Sequence, residues 1–331
     1  MRIENRTYRN TALVGGFAAT PSQEIVAELV FGEFDPVYNR QAGWPQLWLK
    51  SNDESAQPEI AIQSLALQNA SLRPLVLDGV QIGTLWSDEY ADYCLLAGIV
   101  PQAASTSGGE QTISCLRQIE RGIKQAGMRF EHLVRTWFYL DHLLDWYDEF
   151  NVARTSFFDA HGVFERVIPA STGIGAGNPS GKAVAAAALA VRPKDERVKI
   201  SAVESPLQCS ATLYRSSFSR AVEIATPGYR YLTISGTASI APEGETLHVD
   251  DVRRQMELTF DVVEAILHAR QMQWSDALRA VCYFRHQQDI ALFEGFCAER
   301  GICNLPALLV QATVCREDLL FEMELDACVK A

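Results

Sequence analysis

No two of the eight cysteines form a Cys-x-x-Cys pair, and no two of the six histidines stand at a His-x-x-x-His or comparable ligand spacing. The first absence speaks against a zinc ribbon or a dithiol redox site, the second against a metal cage, so no metal and no cofactor are expected. Cys94, Cys115, Cys209, Cys282, Cys297, Cys303, Cys315 and Cys328 read instead as reduced thiols, several of them small core residues inside apolar strands. Basic residues are also short: 29 Lys and Arg face 41 Asp and Glu, a net charge of −12. That balance argues against a nucleic-acid partner or an anionic membrane, and an anionic small-molecule substrate would need a locally basic pocket. The longest apolar run, Ala183 to Val191, falls far below the roughly 20 residues that span a bilayer. Met1-Arg2-Ile3-Glu4-Asn5-Arg6 leads into polar sequence without the apolar core of a signal peptide, so the cytoplasm is the expected location.

What is present is the composition of a globular chain, 48% hydrophobic and 21% charged, with 331 residues to build two domains. Residues 1 to about 85 read as β-rich and irregular, with strands at Glu24 to Phe31 and Glu59 to Ile62. A buried strand at Asp92 to Val100 leads through the Ser105 to Gly109 loop into a helix on which Ile113, Leu116, Ile119 and Ile123 share a face. Gly127 stands where a C-terminal cap belongs. The strand Leu133 to Leu140 and an aromatic-rich helix from about Leu143 to Asp159 follow. The same order then returns: a strand at Leu232 to Thr237, a helix capped by Asp250 or Asp251, a strand at Leu278 to Phe284 and a helix around Ile290 to Arg300. Each half next reaches a Pro-Ala step, Pro169-Ala170 and Pro306-Ala307, before a final pair of strands. This is an internal repeat of about 140 residues, the size of a duplicated domain, with its seam at Arg192 to Arg197. The expected organisation is a domain over 1–195 and a second over 196–331, of α+β class, each a mixed sheet with helices packed on one face.

Gly173 to Ala183 imitates a phosphate-binding loop, but Ala176 stands where the motif needs glycine and Ala183 where it needs Ser or Thr. The stretch reads as a glycine-rich hairpin loop. More telling is the final strand, Leu319 to Val329. Its period-two pattern sends Leu319, Phe321, Met323, Leu325 and Ala327 to one face, and Glu322, Glu324 and Asp326 to the other. A solvated sheet face is one reading of three carboxylates in a row. A cleft wall is the other, where a desolvated carboxyl becomes a general acid or base.

The order of elements, with Phe218-Ser219-Arg220-Ala221, Ile234-Ser235-Gly236, Leu305-Pro306-Ala307 and Phe321-Glu322-Met323-Glu324, resembles the RidA/YjgF family of small trimeric proteins. Imine-deaminating members of that family hold the substrate carboxylate with an arginine directly after the proline, and Ala307 occupies that place. A closer resemblance covers nearly the whole chain, to the two-domain chorismatases. It rests on Arg135 to Asp141, Trp146-Tyr147 and Phe150 to Arg154, on Gln208-Cys209 through Ser217 to Ala221, and on Cys315 to Leu320 before Glu322. The resemblance implies cleavage of chorismate to pyruvate and a cyclic acid. It also implies that Glu322 is catalytic, with Glu324 in reserve and Cys315 at the position of the cysteine found in hydroxybenzoate-forming members. The product is then expected to be 3-hydroxybenzoate, with 4-hydroxybenzoate or a dihydroxycyclohexadiene carboxylate left open. Two substrate carboxylates call for arginines. Arg220 and Arg316 are favoured among Arg215, Arg230 and Arg285, with Tyr214 and Gly236 as further substrate-binding candidates. The first half, whose closing strand Ala183 to Val191 has no carboxylate, reads as a structural copy. The assembly is expected to be a monomer or a homotrimer. A RidA-like imine or enamine deaminase and a non-catalytic small-molecule-binding regulator are the competing readings.

Overall fold

The computed structural model describes residues 2–9, 23–52, 59–102, 107–214 and 216–331. Its first sheet holds β1 (Arg2–Arg9), β2 (Gln23–Phe31), β3 (Gln46–Leu49) and β4 (Glu59–Gln68) in the order β1-β4-β2-β3, with the short helix α1 (Pro36–Gln41) between β2 and β3. The second sheet takes β5 (Arg73–Leu77), β6 (Val80–Ser87), β7 (Ala91–Ile99), β8 (Leu133–Leu140), β9 (Ala170–Gly175) and β10 (Val184–Pro193). Helices α2 (Gly108–Gln125) and α3 (Leu143–Ala160) are inserted in it. The third takes β11 (Lys199–Val203), β12 (Ala221–Ala225), β13 (Tyr229–Ala238), β14 (Ala277–Phe284), β15 (Ala307–Gln311) and β16 (Phe321–Lys330), with α4 (Val252–Ala269) and α5 (Phe293–Glu299). The two six-stranded sheets share one topology, β5-β6-β7-β10-β8-β9 and β11-β12-β13-β16-β14-β15, so the duplication inferred from the residue pattern is present in the fold.

Local chemistry explains the helices. Ser107 accepts from the Glu110 backbone N–H at the start of α2, and Asp251 does the same for Arg254 N–H in α4, which satisfies donors the first turn leaves open. Leu116, Ile119 and Ile123 of α2 are fully buried under the second sheet, as are Met256, Phe260, Val263 and Leu267 of α4 under the third. Gly127 terminates α2 with φ +72, a left-handed conformation that glycine adopts without steric penalty. No helix among the described residues is long and apolar enough to cross a membrane.

One sequence expectation is corrected here. β9 and β10 do not form a hairpin: β10 lies between β7 and β8, and β9 pairs in parallel with β8 at the sheet edge. The 176–183 loop therefore carries the chain back across β8. Gly175 at the end of β9 and Gly177 in the loop serve close backbone approach, since Gly175 and Thr313 exchange two backbone hydrogen bonds of 2.7 and 3.1 Å and Gly177 does the same with Lys50. Those bonds are seams between sheets. With Ser219 N–H on the Pro169 carbonyl and Gln63 Nε2 on the Ala280 carbonyl, they close the three sheets around one apolar interior that includes Leu47, Leu95, Trp137, Ile224, Tyr283 and Leu308. The helices lie outside this interior and each six-stranded sheet has its own helix-side core.

Candidate active site

β16 places the three carboxylates on the face turned toward this interior, while Phe321, Met323, Leu325 and Ala327 fill the helix side with no exposure. Glu322, Glu324 and Asp326 are 4%, 0% and 2% exposed, so the solvated-face reading is overturned. Buried carboxylates need partners, and each of the three has a different answer.

Glu322 lines a cavity of about 240 Å³ between the second and third sheets. Arg220, Arg316, Cys315 and Gly236 line it from the C-terminal half, and Tyr147, Asn151, Arg154 and Ser171 from the N-terminal half, with exposed Asp148 at the mouth. The walls are held by β9 docking on β13: Ser171 N–H donates to Ser235 Oγ at 2.9 Å and Gly236 N–H to Thr172 Oγ1 at 3.1 Å. The N-terminal half is thus one wall of the cavity, which corrects the expectation that it is only a structural copy. Arg220, 2% exposed, donates through Nε to the Cys209 carbonyl at 2.9 Å and stacks 5.6 Å from the Phe218 ring. Arg154, equally buried, donates to Asn151 Oδ1 at 2.8 Å and lies 4.9 Å over Phe150 and 5.9 Å over Phe218. Arg316 is anchored on the Gly244 carbonyl at 2.8 Å. Guanidinium groups fixed by carbonyls and rings keep their planar fork aligned for a carboxylate.

Burial pushes the Glu322 carboxyl up to about 8, aided by the Glu324 charge and opposed by Arg135 and Arg220. It therefore holds its proton at neutral pH. Burial likewise raises the Cys315 thiol to about 12, with the Glu322 charge adding to it, so Cys315 is a neutral thiol and no ready nucleophile. A Cβ at Gly236 would overlap Glu322 Oε1 and come within 3.2 Å of Thr172 Cγ2. Gly236→Ala is accordingly expected to force the carboxyl out of its position and lower kcat by roughly tenfold or more, with little change in unfolding midpoint. Unchanged kcat would show that the carboxyl's placement is not critical.

Glu324 does not reach this cavity. It accepts from Arg135 Nη2 at 2.8 Å and Trp137 Nε1 at 3.1 Å, and from Thr172 and Arg279, in a fully buried cluster. Asp326 accepts from Arg279 Nη1 at 3.1 Å. Two arginines and two carboxylates balance in this cluster, so Arg135 only partly offsets the burial that raises Glu322. Arg285 and Arg230 also lie elsewhere. Arg285 clamps the 314–319 loop through the Val314, Arg316 and Leu319 carbonyls, and Arg230 pairs with Glu223 and the Arg270 carbonyl at the sheet surface. Tyr214 ends the short turn Ala211–Tyr214 beside the cavity-lining Ser216, and Arg215 lies outside the described residues. Arg154 was not singled out by sequence reasoning. The signal was present: it falls on the same helical face as Phe150, Phe157 and Phe158, and an arginine within an apolar stripe is a buried cation that needs a purpose.

The geometry defines a duplicated, helix-backed sheet protein with a basic, inter-sheet cavity around a buried glutamic acid whose carboxyl is raised by desolvation. Comparison with known proteins agrees: residues 80–190 match the family model for the N-terminal domain of FkbO/Hyg5-like chorismatases. A chorismatase from Streptomyces rapamycinicus is 30% identical over 220 residues, 59% of this chain and 64% of that protein. One from Streptomyces hygroscopicus is 27% identical over 274 residues, 75% of each. The alignment thus spans just under two thirds of the first of these relatives. A solved chorismatase structure superposes over 98% of both chains with a TM-score of 0.72 at 20% identity, a likeness of fold. The chain is thus similar to the chorismatases and shares the fold of the solved one, with two six-stranded units of a single topology.

Proposed function

We propose that the protein cleaves the enolpyruvyl ether of chorismate, releasing pyruvate and a hydroxybenzoate, with the acid in residues 196–331 and one substrate wall supplied by residues 1–195. The observation that carries this reading is a proton-bearing Glu322 in a cavity lined by Arg154, Arg220 and Arg316. Chorismate is a dianion, and three fixed guanidinium groups supply the charge that a chain of net −12 otherwise lacks. Its ether is cleaved after protonation of the enol methylene carbon, which leaves an oxocarbenium-like centre. Glu322 is held neutral by burial, so it has that proton to give, and the carboxylate it becomes stabilises the cation beside it. The Cys315 thiol stands against the same cavity as a weak, neutral group. On the family resemblance its presence favours 3-hydroxybenzoate, a product that with pyruvate accounts for all the atoms of chorismate without added water.

The test is to mix the protein with chorismate and follow pyruvate with a lactate dehydrogenase couple, while chromatography identifies the ring product. Stoichiometric pyruvate and 3-hydroxybenzoate are expected; a dihydroxycyclohexadiene carboxylate would overturn the product assignment, and absence of pyruvate the activity. Because the active form is the protonated one, kcat should be level below a pH of about 8 and fall roughly tenfold per unit above it. A rate that instead rises through that range would make the ionised form the working one. Arg220→Ala removes a charge-assisted contact worth about 1.5–3 kcal/mol, so kcat/KM should drop by roughly 10- to 100-fold, and Arg316→Ala likewise. An unchanged kcat/KM in Arg220→Ala assigns that side chain to the fold.

A further inference from the structure

Residues 216–220 enter β12 along the seam between the second and third sheets, and they are tied to the N-terminal half on both sides of Phe218. Before it, Ser217 Oγ lies 2.7 Å from Thr155 Oγ1 of α3. After it, Ser219 donates through its backbone N–H to the Pro169 carbonyl at 3.0 Å and through Oγ to the Ile168 carbonyl at 2.8 Å. The half-buried Phe218 ring lines the Glu322 cavity, and two cations from different halves share it. The guanidinium carbon of Arg220 stands 5.6 Å from the ring centroid and that of Arg154 stands 5.9 Å from it. The hydrogen bonds of Arg220 to the Cys209 carbonyl and of Arg154 to Asn151 each stay within one half, so they place a guanidinium relative to its own half alone. Like charges converging on one cavity repel, whereas an aromatic face attracts a cation within about 6 Å of its centre. One ring pinned to both halves therefore holds both forks at a fixed interval.

We propose that Phe218 is a positioning residue that makes this cavity selective for a dianion, by fixing the interval between a carboxylate-binding fork of one half and that of the other. The inference rests on the reading of this cavity as a chorismate site and says how that site recognises its substrate. A ligand with two carboxylates gains from both forks only when their interval matches its own, whereas a monocarboxylate uses one fork and is indifferent to the other. Phe218 acts through the arginines, not on the ether.

The probes are 3-(carboxymethoxy)benzoate, which carries a ring carboxylate and an ether-linked carboxylate but no enol, and 3-methoxybenzoate, which keeps the frame without the second charge. Calorimetry on the wild type should show a preference of roughly tenfold or more for the dicarboxylate. In Phe218→Leu and Phe218→Met, which keep apolar bulk without a ring, the preference should fall to about threefold or less, while monocarboxylate affinity changes by less than about threefold. Phe218→Tyr should keep the wild-type preference. Thermal unfolding checks that each variant is folded, and a crystal structure of the wild type with the dicarboxylate should seat one carboxylate on Arg154 and the other on Arg220. On chorismate, the loss in Phe218→Leu should appear in KM, with kcat within about threefold of the wild type. No dicarboxylate preference in the wild type, an unchanged preference in the folded Leu and Met variants, or equal losses for both probes would each overturn the proposal. So would a Tyr variant as impaired as the Leu one, a loss in kcat alone, or both carboxylates on one arginine in the crystal. Pyruvate release is read separately: a dicarboxylate preference that depends on Phe218, in a protein that leaves chorismate intact, would overturn the function proposed for the cavity and leave the role of Phe218 standing.

Discussion

Glu322→Gln is expected to lower turnover of chorismate by roughly 10²–10⁴, the contribution of a positioned acid or base, with the protein still folded and still able to bind a hydroxybenzoate. The amide keeps the shape of the side chain and, unlike the carboxyl, has no proton of suitable acidity to transfer. Stability should move the other way. A carboxyl raised from 4.5 to about 8 by burial resists ionisation in the folded state, so the wild-type fold loses stability as pH rises through that window and carries the full penalty above about 8. Glutamine removes the ionisation, so the variant should resist alkaline unfolding better than the wild type. A variant with near-normal turnover would move the proton donor to another group, the substrate's own hydroxyl included.

The largest expected effect on stability belongs to Glu324, two residues along the same strand. Glu324→Gln withdraws a fully buried charge from between Arg135 and Arg279, both of which are buried and both of which reach it directly. The arginines would be left with Asp326 alone as a counter-ion. Breaking a buried pair from one side costs about 3–5 kcal/mol, a loss that denaturant unfolding reads directly. Activity would change by an indirect route. With the Glu324 charge gone and Arg135 still in place, the Glu322 pKa falls and the alkaline limb of the rate profile shifts to lower pH. Glu324→Gln is therefore no inert control for Glu322→Gln, although the two carboxylates share a face. A difference in unfolding free energy within about 1 kcal/mol of the wild type would remove Glu324 from the list of residues that hold the sheets together.

The contrast between these two residues also shows what the residue pattern can and cannot convey. Period two put Glu322, Glu324 and Asp326 on one face correctly, and the helical spacing of Ile113, Leu116, Ile119 and Ile123 with Gly127 behind them located α2. Both are local signals, since the chain's own geometry sets them. What lies opposite a face is set by partners far away in the chain. Glu324 meets Arg135 and Trp137, and Glu322 shares its cavity with Arg154, contacts that exist only once the three sheets close. The same limit produced the misread hairpin. The glycines of 173–181 signal a change of direction, but β8 occupies the place beside β9 that a hairpin would give to β10. Arg230 and Arg285 were candidates for the same reason that Arg220 was, being arginines in the correct half. Only the packing of Glu223 and the end of α4 against Arg230, and of the 314–319 loop against Arg285, shows that they serve other contacts. The first four strands, separated by stretches rich in Pro, Gly and Asn that hide their unity, gain their sense from closing the third side of the interior.

The most direct test of the account is a crystal structure with 3-hydroxybenzoate, which carries the product's carboxylate and hydroxyl and cannot react. The expected density lies in the cavity between the second and third sheets, with the carboxylate on the arginines among Arg154, Arg220 and Arg316 and the ring against Glu322. Density confined to the apolar interior beside Asp326, or to a surface of the first half alone, would contradict the assignment of Glu322 as the acid and with it the function proposed for this cavity.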